Sequence, residues 1–194
     1  MVKHIEGLDV QISFGAESDV LGRFLDASEQ LSDDDFVVRL TADDPFKCPQ
    51  VIDDCVLVAL DGGFDYVSNN IEGMGFPEGL DVEVIRVRAR RLAGEEAISQ
   101  SDREHVTPYI WRDDSKIFQK ASVRAIIDKG HWSLTVDYQE DLNRLSDIYN
   151  LLALTIESTY RDILYLSKHI QVDDTLFCSE RVRNEGYVKS IEQD

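Results

Sequence analysis

Phe36-Val37-Val38-Arg39-Leu40-Thr41-Ala42-Asp43-Asp44-Pro45 is the stretch that decides the fold. Its first five residues are β-branched or apolar almost without interruption. Such a run suits a short strand covered by helices on both faces. The strand then ends on an acidic turn before Pro45, which delivers a carboxylate to the rim of a sheet. A second string repeats the device much later: Trp132-Ser133-Leu134-Thr135-Val136-Asp137 is again an apolar run that ends on an aspartate. Two strands that end this way can bring Asp43 and Asp137 together on one divalent cation. Mg²⁺ suits two carboxylates plus phosphate oxygens better than an all-protein cage. The pair therefore points to phosphate chemistry. The plainer reading makes Asp43 a turn residue before Pro45 and Asp137 the cap of the helix that follows.

Working outward, strands and helices alternate. Leu8 to Phe14 alternates apolar and polar residues, as a half-buried strand does. Ser18 is placed to cap a helix carrying Val20, Leu21, Phe24, Leu25 and Leu31. Pro49 opens a second helix and Gly62-Gly63 stops it. Phe64–Ser68 reads as a strand, and so does Leu80–Ile85 after the punctuated loop Gly73–Gly79. Helices are expected over residues 88–99 and 102–112, the second broken by Pro108. Phe118–Ile127 and Trp132–Val136 read as strands. Helices follow from Tyr138 and over residues 151–170. The alternation implies a layered α/β fold with ligands outside the carboxyl ends of the strands. The expected division is residues 1–150 for the α/β domain and 151–194 for a helical extension and tail.

The chain has 194 residues, 43% of them hydrophobic, enough for a sizeable core. Its net charge of −18 opposes binding to a nucleic-acid backbone. No apolar run approaches the ~20 residues of a membrane helix, and Met1–Gly7 has no signal-peptide character. Cys48, Cys55 and Cys178 form no CxxC pair and read as reduced thiols, with Cys55 in the core. A cytoplasmic location is expected. His4, His131 and His169 have no spacing that suggests zinc. Arg86, Arg88, Arg90 and Arg91 form a basic cluster that reads as a solvated helix face. Asp81 and Glu83 share one face of their strand, because the side-chain period is two. Arg39, inside an apolar strand, either approaches phosphate or pairs with a carboxylate.

Several strings together resemble the cytidylyltransferases that activate acidic sugars, in the spore-coat-polysaccharide branch related to the acylneuraminate enzymes. They are Val37–Phe46, Asp65–Asn69, Phe76-Pro77-Glu78-Gly79-Leu80-Asp81-Val82-Glu83-Val84, Arg103-Glu104-His105-Val106-Thr107-Pro108-Tyr109-Ile110, Trp132–Asp137 with Glu140-Asp141-Leu142, and Asn184-Glu185-Gly186-Tyr187. The order is kept from about Ser18 to Tyr149. The resemblance implies a Rossmann-like, glycosyltransferase-A-like nucleotidyltransferase fold with a mostly parallel sheet flanked by helices. It implies transfer of a cytidine monophosphate group from CTP to an acidic sugar with Mg²⁺, in surface polysaccharide biosynthesis. Asp43 and Asp137 would hold the metal and be catalytic. Arg39, Asp81, Glu83, Arg103 and His105 would bind substrate.

The family's opening strand and Gly-rich, Arg- and Lys-bearing loop have no counterpart here. The chain is therefore expected to lack the N-terminal nucleotide-binding segment. Two readings follow: an active cytidylyltransferase, or a non-catalytic or truncated relative that acts as an interaction partner. A metal-dependent phosphohydrolase is a third. A homo-oligomer, such as a dimer, is expected to cover the exposed sheet edge.

Overall fold

The computed structural model describes residues 7–71, 73–112, 116–181 and 183–192. His4 and most of the Met1–Gly7 opening lie outside them. In chain order the elements are helix α1 (Val20–Ala27), strand β1 (Phe36–Arg39), α2 (Pro49–Gly62), β2 (Tyr66–Ser68) and β3 (Glu83–Arg86). Then come α3 (Val87–Glu96), α4 (Gln100–His105), α5 (Pro108–Trp111) and β4 (Lys120–Ser122). The chain continues with α6 (Gln139–Leu151), α7 (Tyr160–His169), a 3₁₀ turn (Asp174–Phe177) and α8 (Glu185–Ile191).

The strands form one four-stranded sheet in the order β1-β3-β2-β4. β2 and β4 are parallel, whereas β3 runs against both β1 and β2. The α/β architecture flanked by helices is as expected, but the sheet is mixed. β3 enters from the long loop after β2, in which the described residues form no crossover helix, so it returns against β2.

Side-chain alternation divides the sheet into two faces. Val67 and Val84 are opposite one another on β2 and β3 and fully buried in a core with Val51, Cys55 and Ala59 of α2. Leu145 and Ile148 of α6 and Ile163 of α7 close the same core, and Trp132 stacks on Phe177 at 4.0 Å between ring centroids. Tyr66 and Ile85, the neighbouring pair, point the other way into a cluster with Leu21 of α1, Ala89 and Ala93 of α3, and Val106, Ile110 and Phe118. Each fully buried Val, Leu or Ile contributes roughly 1.5–3 kcal/mol. These two layers therefore hold the sheet, and one register slip would exchange the faces.

Local signals set most element ends. Pro49 opens α2, and Gly63 caps it with a left-handed backbone (φ 65°). α1 is capped by Asp19 rather than Ser18: its side chain accepts from Gly22 N at 2.9 Å. The expected 151–170 helix is broken, because Ala153 takes a positive φ of 49°. α7 restarts where Asp162 accepts from Thr159 N at 2.7 Å.

Three expected strands are different. Leu8–Phe14 forms no ladder; Leu8 and Phe14 are 61% and 73% exposed, and a local bond from Val10 N to Leu8 O at 2.9 Å bends the chain. Phe118–Ile127 shortens to Lys120–Ser122, beyond which Ile126 and Ile127 are exposed. Trp132–Val136 is buried but is stitched to separate segments rather than to one strand. Leu134 N donates to Glu78 O at 2.8 Å, Ser133 N to Phe177 O at 2.8 Å and Val136 N to Asp43 O at 2.9 Å. The basic cluster is only partly a solvated face. Arg88 pairs with Asp65 at 2.7 Å, but Arg90 is 1% exposed and donates to Phe24 O at 3.0 Å.

No helix among the described residues is long and apolar enough to cross a membrane. The cysteines are free thiols, and burial pushes that of Cys55 up to about 12.

Candidate functional site

A cleft of about 590 Å³ opens where β1, β3, the 40–47 loop, the α4–α5 junction and the segment around α8 meet. That volume lies within the range of small-molecule sites. Asp43, Asp137, Arg39, Asp81, Glu83 and His105 all line it.

The two acidic turns are joined directly, because Val136 N donates to Asp43 O at 2.9 Å. Burial raises the Asp137 carboxyl above its ordinary range, and the nearby negative charges of Asp43, Asp141 and Asp44 add to the rise. A carboxylate pushed up by its neighbours is stabilised by a cation placed between them. Among the described residues, no group of three or more His, Cys, Asp or Glu could hold a metal ion. Two carboxylates are nevertheless the number that Mg²⁺ takes when water and phosphate complete its shell. Asp43 and Asp137 bring two carboxylates to the lining of one cleft.

Glu83 forms the floor. It accepts from Arg39 Nη1 at 2.6 Å, Tyr66 Oη at 2.6 Å and Thr107 Oγ1 at 2.5 Å. Burial and the Glu83 charge push the Tyr66 phenol well above its usual range, so Tyr66 remains a donor. Arg39 is thereby a partner of Glu83, the second of the two alternatives its position allowed.

Asp81 is different. Its pKa is pushed up to about 7 by burial, against the lowering effect of Arg183. Its nearest side-chain partner is Arg183 Nη2 at 3.4 Å. Glu78 is also raised by burial, although Asn184 N donates to it at 2.7 Å. Asp44 is held by Thr41 Oγ1 at 2.5 Å and Lys47 Nζ at 2.6 Å, while Lys47 also donates to the Asp81 carbonyl.

His105 lines the cleft wall. Its Nε2 lies 3.0 Å from Ser190 Oγ, and its ring meets Tyr187 edge-on at 5.2 Å. Arg103 is not among the lining residues. Its guanidinium pairs with Asp19 at 2.8 Å and donates to Gly94 O and Ala97 O, so it fastens α4 to the start of α1. Two residues earlier in the same short helix than His105, it points to the opposite side.

Sequence reasoning did not select Asp44, Glu78, Thr107, Arg183 or Tyr187. Four of these stand inside the quoted strings Val37–Phe46, Phe76–Val84, Arg103–Ile110 and Asn184–Tyr187, and Arg183 directly adjoins Asn184. Only the fold reveals that the tail returns to the cleft.

Comparison with known proteins bears on the fold. The chain is 31% identical over 189 residues to an uncharacterized protein of Methanocaldococcus jannaschii, a match that covers 96% of this chain and 74% of the relative. It is 28% identical over 138 residues to the spore coat polysaccharide biosynthesis protein SpsF of Bacillus subtilis, covering 70% of this chain and 55% of that protein. Its structure is similar to that of a cytidylyltransferase from Leptospira borgpetersenii, with a TM-score of 0.79 and 22% identity. That match covers 93% of this chain and 74% of the other, and establishes the fold. No protein-family model matches the chain.

Proposed function

Because this chain belongs to the cytidylyltransferase family of the spore-coat-polysaccharide type, we propose that its cleft is the acceptor side of a cytidylyl-transfer site. The reaction is transfer of a cytidine monophosphate group from CTP to a hydroxyl of an acidic sugar, with release of pyrophosphate. The observation that carries this reading is the joining of the two acidic turns at the cleft, through Val136 N and Asp43 O.

Asp43 and Asp137 would hold Mg²⁺, which when bound neutralises charge on the attacked phosphate and the leaving pyrophosphate. Asp81 is half-buried in the cleft lining with a pKa near neutrality (about 7), which suits acceptance of the proton from the attacking hydroxyl. Glu83 fixes Arg39, Tyr66 and Thr107 as a rigid floor. His105 lines the same cleft, where its ring would pack against the sugar beside Tyr187. Most of the rate enhancement would come from positioning rather than from a covalent step. A homodimer in the cytoplasm is part of the same proposal.

A second reading is favoured by the charges of the cleft. Arg39 and Arg183, its lining cations, are both turned to carboxylates, Glu83 and Asp81. In this reading the chain keeps the acceptor half and binds no triphosphate by itself.

Calorimetry with CTP and Mg²⁺, together with pyrophosphate release in the presence of an acidic sugar, separates the two. The first reading expects Mg²⁺-dependent CTP binding and turnover that Asp137→Asn reduces about 100-fold or more. No heat of binding at millimolar nucleotide would sink it and leave the second.

A further inference from the structure

We infer that Arg183 is a positioning residue that seats helix α8 as the outer wall of the cleft, an inference that rests on the acceptor-site reading. α8 has seven residues, none of them buried. Neither hydrophobic cluster among the described residues includes any part of it. A helix this short is not stable alone in water. Yet Asn184 to Val188, which begin and form it, all line the cleft. Something other than the core holds it there.

The anchor is polar and lies at its entrance. Arg183 Nη1 donates to Phe76 O at 2.9 Å and to Gly130 O at 3.4 Å. Its Nη2 donates to Asn70 Oδ1 at 3.0 Å and to Asp81 Oδ1 at 3.4 Å. One planar fork thus ties three points of the β2–β3 loop and the turn at Gly130 to the base of the helix. Asn184 then turns the chain in a left-handed conformation (φ 56°), and its N–H reaches Glu78 Oε1 at 2.7 Å.

With its entrance fixed, α8 lays Tyr187 edge-on against His105 at 5.2 Å and Trp111 at 5.5 Å. Ser190 closes the contact at His105 Nε2. Arg183 therefore governs how His105 and Tyr187 meet an acceptor through the helix it seats, beside its 3.4 Å contact with Asp81 Oδ1. A lysine cannot replace it, because a single ammonium cannot span the carbonyl pair and the Asn70–Asp81 pair at once.

Hydrogen exchange on the full chain, with acrylamide quenching of tryptophan, tests the seat. Arg183→Gln should speed exchange of the α8 amides about tenfold or more while α6 amides stay protected. Arg183→Lys should move them in the same direction by less. Quenching should rise with it, since Trp111 borders α8 whereas Trp132 is 1% exposed and silent. Asn70→Ala removes one partner of the fork, and should speed the same amides several-fold if Arg183→Gln fails to fold. Unchanged α8 exchange in the variants, or equal acceleration in α6, would overturn the inference. The readout needs no turnover, so it stands apart from the transfer reading. An active enzyme with an indifferent α8 refutes the seat, and a seated α8 without CTP binding refutes the reaction.

Discussion

A carboxylate that accepts three hydrogen bonds has little left to offer a ligand, and Glu83 accepts from Arg39, Tyr66 and Thr107. Its job is to hold the cleft floor. Asp81, two residues earlier on the same face, keeps most of its acceptor capacity and carries the raised pKa. The expected strand Leu80–Ile85 put both on one face by alternation; β3 begins only at Glu83, yet both side chains line the cleft. Alternation could not distinguish them, because the donors to Glu83 come from β1, β2 and the start of α5. Glu83→Gln puts an amide where an ionised acceptor stood and leaves the half-buried Arg39 without its counter-charge. The expected cost is about 2 kcal/mol, read as a lower midpoint in urea unfolding. An unchanged midpoint would mean that the three bonds are replaceable by water, and the floor would lose its assigned role. Arg103 marks the other limit of residue-scale reading. It is of the right type to grip a carboxylate, but Asp19 already has it.

Elements with strong local punctuation were readable from sequence, and those that depend on distant partners were not. Pro49 and Gly63 bracket α2 by their own backbone preferences, so their message survives without tertiary context. Trp132–Val136 has the apolar run of a strand, yet it bonds in turn to residues 78, 177 and 43, so no sequence window contains its partners. The same holds for Leu8–Phe14, whose alternation promises a buried face that nothing in the described residues covers. One glycine shows how tightly the stitched segment is fitted. Gly79 has a φ of +94°, and a Cβ there would lie 2.5 Å from the backbone carbon of Leu134. The chain turns at Gly79 immediately after Glu78 meets Ser133. Gly79→Ala therefore combines a left-handed strain with a backbone clash. A loss of about 3 kcal/mol is expected from thermal or urea unfolding. It should also shift the Leu134–Asp137 segment and weaken any Mg²⁺ response. A neutral Gly79→Ala would show that the Trp132–Asp137 segment can move, and that Asp137 is not fixed against Asp43.

For the whole molecule, the balance of raised and lowered carboxyl groups sets the dependence of stability on pH. Burial raises Asp81 from its ordinary 3.8 to about 7, and it also raises Glu78 and Asp137. A group whose folded pKa is raised binds more protons in the folded state, so its contribution is full below the unfolded value and is lost as pH climbs through the folded one. For Asp81 that window runs from about 4 to about 7. The Asp19 and Asp141 carboxyls lie below their ordinary value. Asp19 is held there chiefly by its bond to Arg103, and in Asp141 the bonds from Arg181 and from Tyr138 and Asp137 N–H groups outweigh burial. Their contribution has the opposite sign: it is present above the ordinary value and is lost as pH falls below it. The net charge of −18 pushes in the first direction, since mutual repulsion grows as the last carboxyls ionise. Together these place the stability maximum at mildly acidic pH, near 5, with a decline toward pH 8 on the order of 2 kcal/mol from Asp81. That is about half of the full linkage, because the cleft is open to water. Thermal unfolding across pH 4–8 at fixed ionic strength measures it. Asp81→Asn, which cannot ionise, should flatten the decline between pH 5 and 8 while leaving the acid limb unchanged. A midpoint that rises steadily from pH 5 to 8 would show that Asp81 is ionised and paired throughout. It would then be a partner of Arg183 rather than an acceptor for a substrate proton.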